Sequence, residues 1–152
     1  MKPYFPMFVN LEDKKILVVG AGNIATRRIK SLRNFGCNIT VVAPKVSDEV
    51  EAMTDIALVK RDFCRSDLDG IDIAVIATND AELNESIGKE CRERGIIKNI
   101  STNQKLCDFF FPATVITDDF VVGITSGGAD PGKTKAVRKR IQEFMKEEIE
   151  NE

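Results

Sequence analysis

Ile16 to Val19 form a continuous apolar run that ends at Gly20, and beyond it Ala25, Ile29 and Leu32 recur at helical spacing. This predicts a buried strand, a tight turn and a helix, with Gly36 placed to end the helix. A second apolar run, Ile39 to Ala43, stops at Pro44. Asp48 to Met53 can form a short helix, and Leu58 to Lys60 another strand. Ile71 to Ala77 is nearly continuous in apolar residues, as expected of a strand covered on both faces. The following helix carries Leu83, Ile87 and Cys91 on one stripe and stops at Gly95, after which Ile96 to Ile100 reads as strand. The alternation predicts an α/β fold of the Rossmann type, a doubly wound parallel sheet with right-handed crossovers.

The pattern then changes. Phe109 to Ala113, Val115 to Thr117 and Phe120 to Thr125 are apolar stretches broken by Asp118 and Asp119, which predicts a hairpin rather than another strand-helix-strand unit. Ser126 to Pro131 is a loop of small residues, and Lys133 to Ile149 reads as one long amphipathic helix. The expected organisation is a nucleotide-binding domain over residues 1–110 and an appendage over residues 111–152.

Composition narrows the chemistry. The 152 residues carry a net charge of -2 with both signs interspersed, which favours neither nucleic acid nor an anionic membrane as partner. No apolar run approaches the length of a bilayer span, and the opening MKPYFPMFVN lacks a signal peptide's apolar core, so a cytoplasmic protein is expected. The four cysteines form no CxxC pair and are expected to be reduced and mostly buried. With no histidine, no metal site is expected, and proton transfer must fall to Asp, Glu, Lys, Tyr or water.

Gly20, Gly22 and Ala25 make a GxGxxA turn between strand and helix, the arrangement that offers backbone N–H groups and a helix dipole to a pyrophosphate. Asn23 and Ile24 supply such groups. The acidic residue that normally meets the ribose at the end of the second strand is absent, since the chain reads Val42, Ala43, Pro44, Lys45. Pro44 and Lys45 therefore border the ribose. Thr78 and Asn79 follow an interior strand and fall where the crevice of the sheet should open.

With these pieces in order, the chain resembles the precorrin-2 dehydrogenase family, the siroheme-synthase N-terminal module that sometimes doubles as a sirohydrochlorin ferrochelatase. The resemblance is collinear, through YFPMFVNL at Tyr4, VVGAGNIATRR at Val18, VVAP at Val41, IATNDAELN at Ile76, CDFFFPATV at Cys107 and TSGGADP at Thr125. It implies oxidation of precorrin-2, an anionic tetrapyrrole, to sirohydrochlorin with NAD as cofactor. It also implies a homodimer built through the strand pair and long helix. Substrate carboxylates are expected at Asn99, Thr125, Ser126, Gly127 and Gly128, with Arg27 and Arg28 as further partners.

Two departures from the family stand out. Members carry an aspartate, the proposed acid/base residue, three positions after the asparagine matching Asn99; here that position is Thr102, whose hydroxyl cannot serve as a carboxylate base. Three readings remain open: Asp108 or another carboxylate takes the role, water accepts the proton, or the module binds its ligands without chemistry. The family commonly adds a helical domain after the long helix, and the sequence stops at Glu152, so that domain is expected to be missing. Ferrochelatase activity, which some members show, is expected to be small with so few groups left to guide iron.

Overall fold

A computed structural model describes residues 4–127 and 129–150. The chain divides into two compact units, Val9–Phe110 and a second that joins the segment up to Phe8 with residues from Phe111 onward.

The first unit is a five-stranded parallel sheet in the order β3-β2-β1-β4-β5. Its strands are β1 (Lys15–Val19), β2 (Asn38–Val42), β3 (Ala57–Val59), β4 (Ile73–Ile76) and β5 (Ile97–Ile100). The central strand β1 pairs Val18 with Val41 on one side and with Val75 on the other. Ile16 to Val19 are all buried because helices cover both faces, which explains the unbroken apolar run. The helices are α1 (Asn23–Leu32), α2 (Asp48–Glu51) and α3 (Ala81–Glu93). Beyond α1 a single 3₁₀ turn, Arg33–Phe35, carries the chain to Gly36. Helix α3 lies close on β5, because Gly88 faces Ile100 where any side chain would collide with it.

One expectation needs correction. The stripe on α3 was to begin at Leu83, yet Leu83 is exposed and Asn84 takes the inward position, with Ile87, Gly88 and Cys91 behind it. The reason is polar: the first turn of α3 meets a loop rather than apolar sheet. The cysteines are all free thiols, but Cys64 is exposed and Cys37 and Cys107 are half-buried, so only Cys91 lies fully inside. Burial pushes the Cys91 thiol up to about 11.

The second unit contains β6 (Ala113–Ile116), β7 (Val121–Ile124) and α4 (Pro131–Glu150). The two strands pair antiparallel, Val115 opposite Val122, with Val115 buried. Thr117 closes the hairpin, its N–H donating to the Phe120 carbonyl at 2.9 Å and its hydroxyl oxygen accepting from the Phe120 N–H at 3.0 Å. No helix among the described residues is long and apolar enough to cross a membrane.

In the β3–β4 connection Asp67 accepts from both Arg61 guanidinium nitrogens (2.8 and 2.5 Å) and from the Cys64 N–H (2.8 Å). The Arg61 hydrogen bonds, more than the Cys64 amide, hold its carboxyl at about 2. A free aspartate titrates near ~3.9. The folded-state value is depressed, so the contribution to stability is complete above that range and is lost as pH falls from about 4 through about 2. Urea unfolding of Asp67→Asn at pH 5 and pH 2.5 should show a smaller acid-side loss of stability than the parent; equal losses would remove Asp67 as the source.

Candidate functional site

All strands of the first unit run parallel, so their carboxyl ends share one edge. The chain lays β2 and β3 on one side of β1, then returns to build β4 and β5 on the other. The crevice of such a sheet opens at this reversal, between β1 and β4. Gly20 leaves β1 with φ of 101°, and a Cβ on it would stand 2.5 Å from the Ala77 carbonyl oxygen. Only glycine supplies both that dihedral and that approach. The Gly20 N–H donates to the Val42 carbonyl at 2.9 Å and the Ala77 N–H to the Val19 carbonyl at 2.8 Å, tying the turn to both neighbours.

Gly22 is the N-cap of α1, in extended backbone, and a Cβ there would meet nothing within 4 Å. No side chain caps this end, and the first turn holds no acidic residue. The first-turn amides of Asn23, Ile24 and Ala25 thus lack intrahelical acceptors, and the positive end of the helix is left without a counter-charge. Asn23 and Ile24 are exposed, while Ala25 is fully buried beneath them and lets α1 approach the sheet. Open space, free amides and a positive dipole end fit a pyrophosphate.

Pro44 and Lys45 lie exposed on the loop after β2. The first carboxylates beyond them belong to α2, where Glu49 is engaged by Lys30. Ser47 fastens this loop to the glycine turn: its N–H donates to the Ala21 carbonyl at 3.4 Å, and its hydroxyl lies 3.4 Å from that of the buried Thr26. Sequence reasoning passed over Ser47, although a serine ahead of the run DEVE is an N-cap signal, and it does cap α2 through the Val50 N–H.

Thr78 is half-buried and Asn79 exposed after β4. Neither caps α3; Asp80 does, accepting the Leu83 N–H at 3.0 Å. Thr78 instead joins Asn84, whose side chain is fully buried. Asn84 Oδ1 accepts from the Thr78 N–H (3.2 Å) and hydroxyl (2.6 Å), while its Nδ2 donates to the Thr78 carbonyl (3.0 Å) and to Thr102 Oγ1 (3.2 Å). Thr102 itself is exposed, just beyond β5.

Asn99 is buried in β5 and donates its amide to the Phe109 carbonyl at 2.8 Å. Its neighbour Lys98, almost wholly buried, places Nζ at 3.0 and 2.8 Å from the two oxygens of Asp108, and its N–H donates to the same carboxylate at 3.1 Å. Cys107 Sγ accepts the Ile100 N–H at 3.1 Å and lies 3.3 Å from the Ile100 carbonyl. Side chains thus stitch residues 107–109 along β5. Asp108 is committed to this seam.

Arg27 is exposed and Arg28 half-buried on α1. Burial, with the adjoining Arg27 charge, lowers the Arg28 guanidinium below its usual range. In the second unit the Thr125 hydroxyl accepts the Gly127 N–H at 3.0 Å, and the Ser126 hydroxyl oxygen accepts the Asp130 N–H at 3.1 Å and the Thr134 hydroxyl at 2.9 Å. Gly128 lies outside the described residues.

Residues 7–113 match the family described as "Putative NAD(P)-binding". The chain is 36% identical to the "Probable multifunctional siroheme biosynthesis protein HemA" of Ruminiclostridium josui, over 92% of its own length and 28% of that protein. It is 34% identical to the siroheme synthase of Psychrobacter cryohalolentis, over 93% and 28% respectively. Among solved structures, SirC, a precorrin-2 dehydrogenase, superposes with a TM-score of 0.74 at 29% identity, covering 93% of this chain and 71% of that one. The chain spans less than a third of the length of these two curated relatives.

Removing one partner of the β5 seam strands the other. Asp108→Ala leaves the Lys98 ammonium buried without its carboxylate and should cost about 1–3 kcal/mol in urea unfolding. Adding Lys98→Met should recover most of the loss. A loss below about 0.5 kcal/mol would mean that the pair acts only as a surface contact.

Proposed function

We propose that this chain, which belongs to the siroheme synthase and precorrin-2 dehydrogenase family, oxidises precorrin-2 to sirohydrochlorin. NAD is the cofactor; when bound it accepts the hydride that the macrocycle gives up, while the accompanying proton leaves to a base. The observation that carries this reading is the uncapped, acid-free N-terminus of α1 beneath the open Gly22, set beside the Gly20 approach to Ala77.

The residues divide the work. Gly20 and Gly22 clear the space for the pyrophosphate, the amides of Asn23, Ile24 and Ala25 donate to it, and Pro44 and Lys45 border the ribose side. Thr78 and Asn79 line the crevice after β4. Within the first unit, Arg27 and Arg28 are the groups we assign to the substrate carboxylates. Thr102 offers a hydroxyl, and both Asp108 oxygens already accept from Lys98, so the proton passes to water and turnover is slow. The same observation favours a second reading, in which the module binds NAD and tetrapyrrole without chemistry. The second unit we assign to a homodimer interface, since Ile116, Phe120, Val121 and Phe144 leave apolar surface exposed on it.

Anaerobic incubation with precorrin-2 and NAD should yield NADH and sirohydrochlorin one for one. Thr102→Asp should raise the rate by about 10² or more, the range a positioned base contributes. Both ligands binding with no NADH from either protein would establish the second reading. Gly22→Asp sets a carboxylate where the pyrophosphate sits; NAD affinity in calorimetry should fall by about tenfold or more, with thermal stability held or raised by the new cap. Unchanged affinity would move the cofactor elsewhere. Light scattering at micromolar concentration should give twice the chain mass, and Phe120→Asp with Phe144→Asp should give one; a monomeric parent would overturn the assembly.

A further inference from the structure

The Asn84 side chain reaches both loops that flank the β4 and β5 carboxyl ends, and the reading of the chain as a dehydrogenase gives it no task. Its amide orientation is dictated by backbone. The Thr78 N–H requires an acceptor, which must be Oδ1, and the Thr78 carbonyl requires a donor, which must be Nδ2. A flipped amide would set donor against donor and acceptor against acceptor. The second Nδ2 proton is thereby aimed at Thr102 Oγ1, 3.2 Å away, and the Thr78 hydroxyl supplies the second bond to Oδ1 at 2.6 Å. All four hydrogen-bonding positions of this fully buried side chain are filled.

The consequence falls on residue 102. Because Asn84 can only donate there, the Thr102 oxygen accepts, and the hydroxyl's own proton stays available to a bound group. A carboxylate in the same place would accept the same N–H, which favours its charged form and lowers its pKa. We propose that Asn84 is the positioning residue of the reaction site: anchored on Thr78, it admits only a hydrogen-bond acceptor at position 102 and sets that group's orientation and proton affinity. This rests on the dehydrogenase reading only in calling the site a reaction site; the coupling between residues 84 and 102 stands apart from activity.

The tests separate the two. In the folded parent protein, the two Asn84 side-chain amide protons are followed by 15N–1H NMR. Thr102→Val, at an exposed position, should shift one of them upfield and leave the other, held by the Thr78 carbonyl, in place. Unchanged resonances would overturn the proposal. In Thr102→Asp, 13C titration of the new carboxyl should give a pKa below the free value of ~3.9, and Asn84→Ala on that background should raise it by about 1 unit. Should Asn84→Ala fail to fold, Asn84→Asp keeps the side chain's shape and, lacking the donor, should raise it as well. No rise in the folded variant overturns the proposal. With activity present, removing the donor should lower kcat several-fold while KM for NAD stays within twofold. No NADH from any variant, with the NMR coupling intact, would sink the dehydrogenase reading and leave the positioning role standing.

Discussion

The contact between the Gly20 turn and the Ala77 carbonyl is the constraint from which the rest of the first unit follows. The two strands that part company at the chain reversal, β1 and β4, are held so closely at their carboxyl ends that a methyl group would stand 2.5 Å from a carbonyl oxygen. That closeness sets where α1 begins, and so where its unpaired amides lie. It also fixes the start of the loop that carries Thr78 toward Asn84. A side chain at Gly20 would push apart the ladder ends held by the Gly20 and Ala77 amides, moving the helix dipole and the crevice together. Glycine adopts φ near 101° without strain, so the turn needs no side chain to place its amides.

A second framework, made of side chains, takes over where the backbone ladder ends. β5 is the edge strand of the parallel sheet, and residues 107–109 run alongside it. Asn99, Cys107 and the Lys98–Asp108 pair supply the bonds that a strand's amides and carbonyls would have made. Buried lysine is expensive unless paired and hydrogen-bonded. Here Asp108 returns both an ion pair and an acceptor for the Lys98 backbone N–H, and its own N–H donates to the Lys98 carbonyl at 2.9 Å. Such a seam is specific in register, since shifting by one residue would face Lys98 with Cys107 and leave the carboxylate outside.

What could be read from the chain follows the physics of each signal. The continuous runs at Ile16 and Ile71 and the GxGxxA turn announced the strands and the glycine turn between β1 and α1 because apolar burial and glycine geometry are local. The stripe on α3 misled by one position because helical period ranks residues by hydrophobicity, and Asn84 is buried for its hydrogen bonds instead. Lys98 and Asp108 are ten residues apart and betray nothing until the register of β5 is known. Asp108 stands as a candidate base in the sequence for the same reason, its tie to Lys98 being invisible there. Ser47 was within reach, as an N-cap serine, but its tie to Ala21 depends on where the second loop folds back.

The glycine turn and the Asn84 network are therefore built from different materials, and they respond differently to substitution. The turn is backbone, held to glycine at Gly20 by its dihedral and its approach to Ala77, and open to other residues at Gly22, where a Cβ meets nothing within 4 Å. The Asn84 network instead ends on a single exposed residue, Thr102, held by a single buried amide. A threonine and a carboxylate both offer the acceptor that the Asn84 N–H requires, so the local network can close with either. The two differ in their chemistry: a hydroxyl does not act as a carboxylate base near neutral pH. With threonine there, every buried side-chain polar atom among the described residues is partnered.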